Sequence, residues 1–75
     1  MNFIEVNLLS GHRMCVRKDL VLLVFDVRYI TKELLKDKPF LKGVESCTMI
    51  QLSMANGDYY CADKYDDIVQ QLKEM

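Results

Sequence analysis

The segment from Met49 to Lys64 repeats the segment from Phe3 to Lys18 at a constant offset of 46 positions, with no gap. In the first copy Phe3-Ile4-Glu5-Val6-Asn7-Leu8 leads through Leu9-Ser10-Gly11 to Arg13-Met14-Cys15-Val16. In the second, Met49-Ile50-Gln51-Leu52-Ser53-Met54 leads through Ala55-Asn56-Gly57 to Tyr59-Tyr60-Cys61-Ala62, so that the glycines and the cysteines coincide. Ile4, Val6 and Leu8 alternate with Phe3, Glu5 and Asn7, and Ile50, Leu52 and Met54 alternate with Met49, Gln51 and Ser53. That period of two belongs to strands with one buried face. Each copy therefore reads as a β-hairpin.

Register follows from the loop, because a slip of one residue carries every side chain of the returning strand to the other face. A two-residue Ser10-Gly11 turn would place Arg17 opposite Ile4, in the core row. A three-residue loop with Gly11 in the left-handed region sets Val6 opposite Met14 and Ile4 opposite Val16, and this is the register expected. In the second hairpin the repeat predicts Leu52 opposite Tyr60 and Ile50 opposite Ala62. The Asn56-Gly57 dipeptide instead favours a two-residue turn that brings Tyr59 and Cys61 inward. Tyr59 and Tyr60 are both large and partly apolar, so both registers stay open, and in either one tyrosine faces out.

Between the hairpins, Leu20-Val21-Leu22-Leu23-Val24-Phe25 is an apolar run that continues through Asp26-Val27-Arg28-Tyr29. It reads as a buried third strand, with Val21, Leu23, Phe25, Val27 and Tyr29 on the face that stays covered longest. Residues 31–43 form an excursion in which Thr31 caps a short helix and Pro39 ends it. Its Leu34, Leu35, Phe40 and Leu41 are expected to anchor it to the core, while Lys32, Lys36, Lys38 and Lys42 solvate it. At the C-terminal end Tyr65, Ile68, Val69 and Leu72 keep the three-four spacing of one helical stripe, Asp63 is placed to cap it, and Asp66 and Asp67 occupy its first turn. The fold class expected is α+β: an antiparallel sheet of about five strands built from two similar hairpins, open or curled into a half-open barrel, with a C-terminal α-helix.

Seventy-five residues, 51% of them hydrophobic, make one ordered domain with a modest core. Such a chain gains much from oligomerisation. Net charge is -1, yet residues 1–42 carry eight Lys/Arg against five Asp/Glu, and residues 43–75 carry two against six. The three cysteines, Cys15, Cys47 and Cys61, and an N-terminal apolar stretch broken by Glu5 and Asn7 lead us to expect a cytoplasmic protein without a leader. No apolar run is long enough to cross a membrane as a helix.

His12 and Cys15, with Cys47 and Cys61, are the residue types of a zinc site, but they lack the closely spaced ligand pairs of structural zinc sites, and positions 12 and 15 point to opposite faces of one strand. No metal and no cofactor are expected. The single histidine lies beside a turn, the carboxylates gather at a helix N-terminus, and no phosphate loop or nucleophile elbow is present, so the chain is not expected to be an enzyme. Arg13, Arg17 and Arg28, with Tyr59 as a stacking surface, form the candidate site for a small anionic ligand such as a nucleotide, or for weak nucleic-acid binding. The isoelectric point near 5.7 argues against a dedicated nucleic-acid binder.

Leu9-Ser10-Gly11, Lys18-Asp19-Leu20, Thr48-Met49-Ile50-Gln51-Leu52, Asn56-Gly57 and Tyr65-Asp66-Asp67-Ile68-Val69 follow one another in an order that resembles the FlbD family of small flagellar-operon proteins. The resemblance covers the chain except residues 24–44. It implies two hairpins and a short helix. The chain departs from the family in the 31–43 excursion and in having Glu45-Ser46-Cys47-Thr48 where a Pro-Asp-Thr stretch is common.

In the preferred register Phe3, Cys15, Met49, Tyr59 and Cys61 share a second, semi-apolar row. A row of that kind is better suited to an interface than to solvent. The expected function is a small non-catalytic protein-protein interaction or regulatory module, FlbD-like and homo-oligomeric, with a further protein partner of unknown identity. The alternative is an oligomer that binds a small anion.

Overall fold

The computed structural model describes residues 2–53 and 57–74. Strands β1 (Phe3–Asn7) and β2 (Arg13–Arg17) form the first hairpin. Ile4 stands opposite Val16 and Val6 opposite Met14, the register of the three-residue loop. The Leu8 amide donates to the His12 carbonyl at 2.7 Å and the Gly11 amide to the Leu8 carbonyl at 2.9 Å. Gly11 takes φ +94°, a conformation that costs a residue with a Cβ about 1–2 kcal/mol. A Cβ there would meet nothing within 4 Å, so the whole penalty is conformational. Gly11→Ala should therefore lower unfolding stability by about 1–2 kcal/mol, read from the urea midpoint, and an unchanged midpoint would contradict the loop geometry.

A 3-10 turn (Lys18–Leu20) leads to β3 (Val21–Val27), which pairs antiparallel with β4 (Cys47–Leu52), and β4 pairs with β5 (Asp58–Cys61). The five strands thus lie in two sheets, of two and three strands, instead of one, and they do not close into a barrel. Among the described residues one bridge, between Leu8 and Cys61, joins the sheets, with the Leu9 amide donating to the Tyr60 carbonyl and the Ala62 amide to the Asn7 carbonyl.

The second hairpin follows neither expected register. Ile50 stands opposite Tyr59, Met49 opposite Tyr60 and Thr48 opposite Cys61. Relative to the repeat this is a shift of three residues, an odd number, which exchanges the faces of β5. Tyr59 and Cys61 consequently share the face of Ile50, and Tyr60 shares the face of Met49. Neither tyrosine faces out: Tyr60 is buried and Tyr59 half-buried. Met54, expected in the strand, and Ala55 and Asn56, expected in the turn, lie outside the described residues.

Two apolar clusters result, one on each face of the three-stranded sheet. The first joins Ile50, Cys61, Val24 and Tyr59 to Ile4, Val6 and Val16 of the first hairpin and to Ile68 and Leu72 of the C-terminal helix, α2 (Tyr65–Lys73). The second joins Cys47, Tyr60, Met49 and Val27 to Leu34, Leu35 and Leu41 of the excursion. The excursion comprises α1 (Lys32–Asp37) and a 3-10 turn (Pro39–Leu41). Thr31 caps α1 as expected, its Oγ1 accepting from the Leu34 amide at 3.1 Å. Leu34, Leu35 and Leu41 do anchor the excursion, but Phe40 remains largely exposed, its ring meeting Tyr60 edge-on at 5.5 Å between centroids.

Asp63 does not cap α2. Lys64 occupies the cap position without a side-chain bond, while the Asp63 carboxylate accepts from the Asn7 amide at 2.5 Å and from Asn7 Nδ2 at 3.1 Å. Two turns along, Gln71 accepts from the Glu5 amide and donates from Nε2 to the Glu5 carbonyl, both at 2.9 Å. These side chains satisfy the edge of β1 at Glu5 and Asn7, where β2 leaves it open. Asp66 and Asp67 sit in the first turn of α2 as expected, favourable to the helix dipole. No helix among the described residues is long and apolar enough to cross a membrane.

Candidate functional site

β3 is not the buried strand expected from its composition. It has one neighbour, β4, and its pairing shifts between Val21 and Leu23, so that Leu22 is bulged out. A bulge adds one residue against the partner strand and reverses the alternation beyond it. Val21 and Val24 therefore both pack against the first cluster, and the row Leu23, Phe25, Val27 turns to the second face. The excursion covers Val27 but not its neighbours. Leu22 is 65% exposed, Leu23 44%, Phe25 51% and Tyr29 73%.

Beside this run lies an open groove of about 500 Å³, lined mainly by Phe25, Val27, Tyr29, Leu34, Met49 and Tyr60. Asp26 and Arg28 also border it and pair with each other at 3.1 Å, Arg28 Nε to Asp26 Oδ2. The pair is solvent-exposed and contributes little to stability. The groove is apolar, with one self-neutralised ion pair at its edge. Its character suits a hydrophobic side chain of a partner.

The outward edge of β3 is also free. The Val21 amide at its start donates to the Lys18 carbonyl, and from Leu22 to Val27 its backbone makes no hydrogen bond beyond the ladder with β4 among the described residues. Between Leu20 and Val27 the only charge is Asp26. The outer edge of β2, by contrast, carries Arg13 and Arg17, charges of the sort that blunt edge strands against pairing. The two free edges differ in readiness to add a strand.

The five residues expected to form one interface row are dispersed. Phe3 and Cys15 remain on the exposed outer face of the first hairpin, beside Glu5. Met49 lies half-buried on the second face and lines the groove. Tyr59 and Cys61 belong to the first cluster, carried there by the register of β5. A second apolar face exists, but Met49 is its only member from that row. Phe25 and Tyr29, both exposed here, are residues that the sequence pattern places on a buried face.

The arginines do not converge on one point either. Arg13 and Arg17 share the outer face of the first hairpin, and Arg28 lies at the groove on the other sheet. Arg17 and Lys18 border a hollow with Asn2, Phe3 and Asp19. Arg17 Nη2 is bound to Asp19 at 2.7 Å, and Lys18 Nζ donates to the Glu74 carbonyl. Both cations already have partners.

The thiols differ sharply in environment. Cys15 is exposed, while Cys47 and Cys61 are buried. Burial pushes the Cys47 thiol up, and burial followed by the Asp63 carboxylate pushes Cys61 up to about 12. Burial, with Asp58 next, also raises Tyr60. All three favour their neutral forms, which suits packing and disfavours nucleophilic use. His12 accepts or donates at Nδ1 with Ser10 Oγ, 3.1 Å away in the turn. No group of three or more metal-type ligands converges among the described residues.

No family model, curated protein or solved structure matches this chain.

Proposed function

We propose that the chain is a small, non-catalytic protein-protein interaction module of FlbD-like build that associates with itself. One observation carries this reading: the apolar side chains of Leu22, Leu23, Phe25 and Tyr29 are left exposed on and just beyond a strand whose edge is free, beside an apolar groove. Contiguous exposed apolar surface of this kind marks interaction sites in folded proteins. The neutral, buried Cys47 and Cys61 and the pairing of Arg17 with Asp19 and of Arg28 with Asp26 add support. An unpaired, exposed Cys15 fits a reducing compartment such as the cytoplasm.

The test is molar mass across a concentration series, by light scattering or sedimentation equilibrium. The mass should rise above that of the 8.8 kDa chain with concentration. Phe25→Lys should hold it at the monomer value while the circular dichroism stays native, because Phe25 contributes little to the core. A wild-type chain that remains monomeric up to millimolar concentration would overturn the reading.

A further inference from the structure

The mode of self-association can be taken further, on the reading just proposed. We infer that two copies join edge to edge through β3, antiparallel about a twofold axis centred on Val24, making one six-stranded sheet from two three-stranded ones. Adding a strand to a free sheet edge is a recurrent recognition mode in which main-chain bonds give affinity and alternate side chains give specificity. An antiparallel pair of identical strands is self-complementary by symmetry, as closed dimers require. A second copy is therefore the one partner certain to carry a matching edge.

The register follows from the residues. Centred on Val24, the strands set Leu23 opposite the partner's Phe25, Phe25 opposite the partner's Leu23, and Val24 opposite the partner's Val24. Leu23 and Phe25 lie on the second face, with Phe25 lining the groove, and Val24 lies on the first. Centring on Phe25 would instead oppose Val24 to the partner's Asp26 twice. Centring on Leu23 would oppose Val24 to the partner's bulged Leu22, where the ladder is interrupted. The Val24 centre alone keeps its three central pairs apolar and within the regular part of the strand.

Charge and area agree with this occupant. The single charge of the strand, Asp26, is already neutralised by Arg28, so two copies approach without like-charge repulsion. At these exposures Leu22, Leu23, Phe25 and Tyr29 leave on the order of 400 Å² uncovered, within the roughly 300–600 Å² of the largest patch on typical monomers. That is about half of the roughly 800 Å² each partner gives to a standard interface, and the strand backbone and groove rim supply more.

A cysteine placed at the axis tests the geometry. Opposed residues in an antiparallel pair have Cα atoms about 4.5–5.5 Å apart, inside the roughly 4.4–6.8 Å that a disulfide spans. In a Cys15→Ser background, Val24→Cys should give a covalent dimer under mild oxidation, and Val27→Cys, which faces Val21 of the other copy, should not. Leu23→Lys and Phe25→Lys should each weaken association at least about tenfold, as expected for truncating or charging a central anchor. Concentration-dependent dimers that Val24→Cys fails to cross-link, with Val24→Cys shown to fold, would overturn this arrangement and leave self-association standing. A chain that is monomeric throughout would overturn both.

Discussion

Ile50→Ala should lower the unfolding free energy by about 3 kcal/mol, within the roughly 2–5 kcal/mol that deleting a fully buried Ile or Leu side chain costs. Ile50 is fully buried on the first face, opposite Val24 on one side and Tyr59 on the other, where both hairpins and α2 meet. Its removal leaves a cavity that three separate elements would have to move to fill. For 75 residues, total stability at roughly 0.05–0.15 kcal/mol per residue comes to about 4–11 kcal/mol, so this one change removes a large share. At about 4–8 °C per kcal/mol, the melting temperature should fall by roughly 12–24 °C. Urea unfolding at concentrations below self-association measures it without a contribution from mass action. A loss under about 1 kcal/mol would mean that the first cluster is not packed as described. Phe25→Ala, which opens no cavity, is the control and should change monomer stability by less than about 1 kcal/mol.

The second large effect is alkaline. Cys61, Cys47 and Tyr60 all hold their protons more tightly in the fold than in the unfolded chain, chiefly because burial penalises the charged form. A raised acidity constant in the folded state stabilises the fold fully below the unfolded value, and that contribution is lost as pH rises toward the folded value. For Cys61 the window runs from a thiol's usual 9.0 to about 12. Across it stability should decline by about 1.4 kcal/mol per pH unit from this group alone. Urea midpoints should thus be flat through neutrality and fall from pH 9 upward. Cys61→Ala should flatten the alkaline limb, leaving the smaller share from Tyr60 and Cys47. An identical alkaline decline in wild type and Cys61→Ala would exclude Cys61 as its source. Burial also shields Cys47 and Cys61 from thiol reagents, whereas Cys15 is exposed to them.

What the sequence disclosed about the fold depended on how unequal the competing placements were. The first hairpin was legible because one of its two registers put Arg17 in the core, a cost no neighbouring residue offset. Thr31 was legible because its partner lies within one helical turn, and α2 because its apolar positions recur at helical spacing. The second hairpin was not, since Tyr59 and Tyr60 serve almost equally well on either face, and a longer loop than either expected turn was accommodated. In β3 every residue from Val21 to Phe25 is apolar, so the bulge at Leu22 leaves no mark in the pattern, though it decides that Phe25 and not Val24 is exposed. Asp63 had a plausible local role at the start of α2 and took a distant one with Asn7.

The candidate site was less legible still. That two apolar faces exist was implied by the excess of apolar rows. Which face is closed depends on where residues 31–43 fold back, and their leucines suit any apolar surface. The groove assembles Phe25 and Tyr29 with Met49 and Tyr60, segments that meet only once β3, β4 and β5 are in register.

The clasp of β1 by Asp63 and Gln71 also bears on how the chain reaches its fold. These contacts span 56 and 66 residues, so the first strand, early in the chain, is completed by nearly the last residues described. Contacts so distant in sequence must overcome loop-closure entropy before they return any stabilisation, and proteins rich in them fold slowly. On the ribosome the first hairpin emerges with one edge unsatisfied and must wait for residues 63–71. During that interval the Asn7 edge is open to mispairing, in addition to the edge of β3.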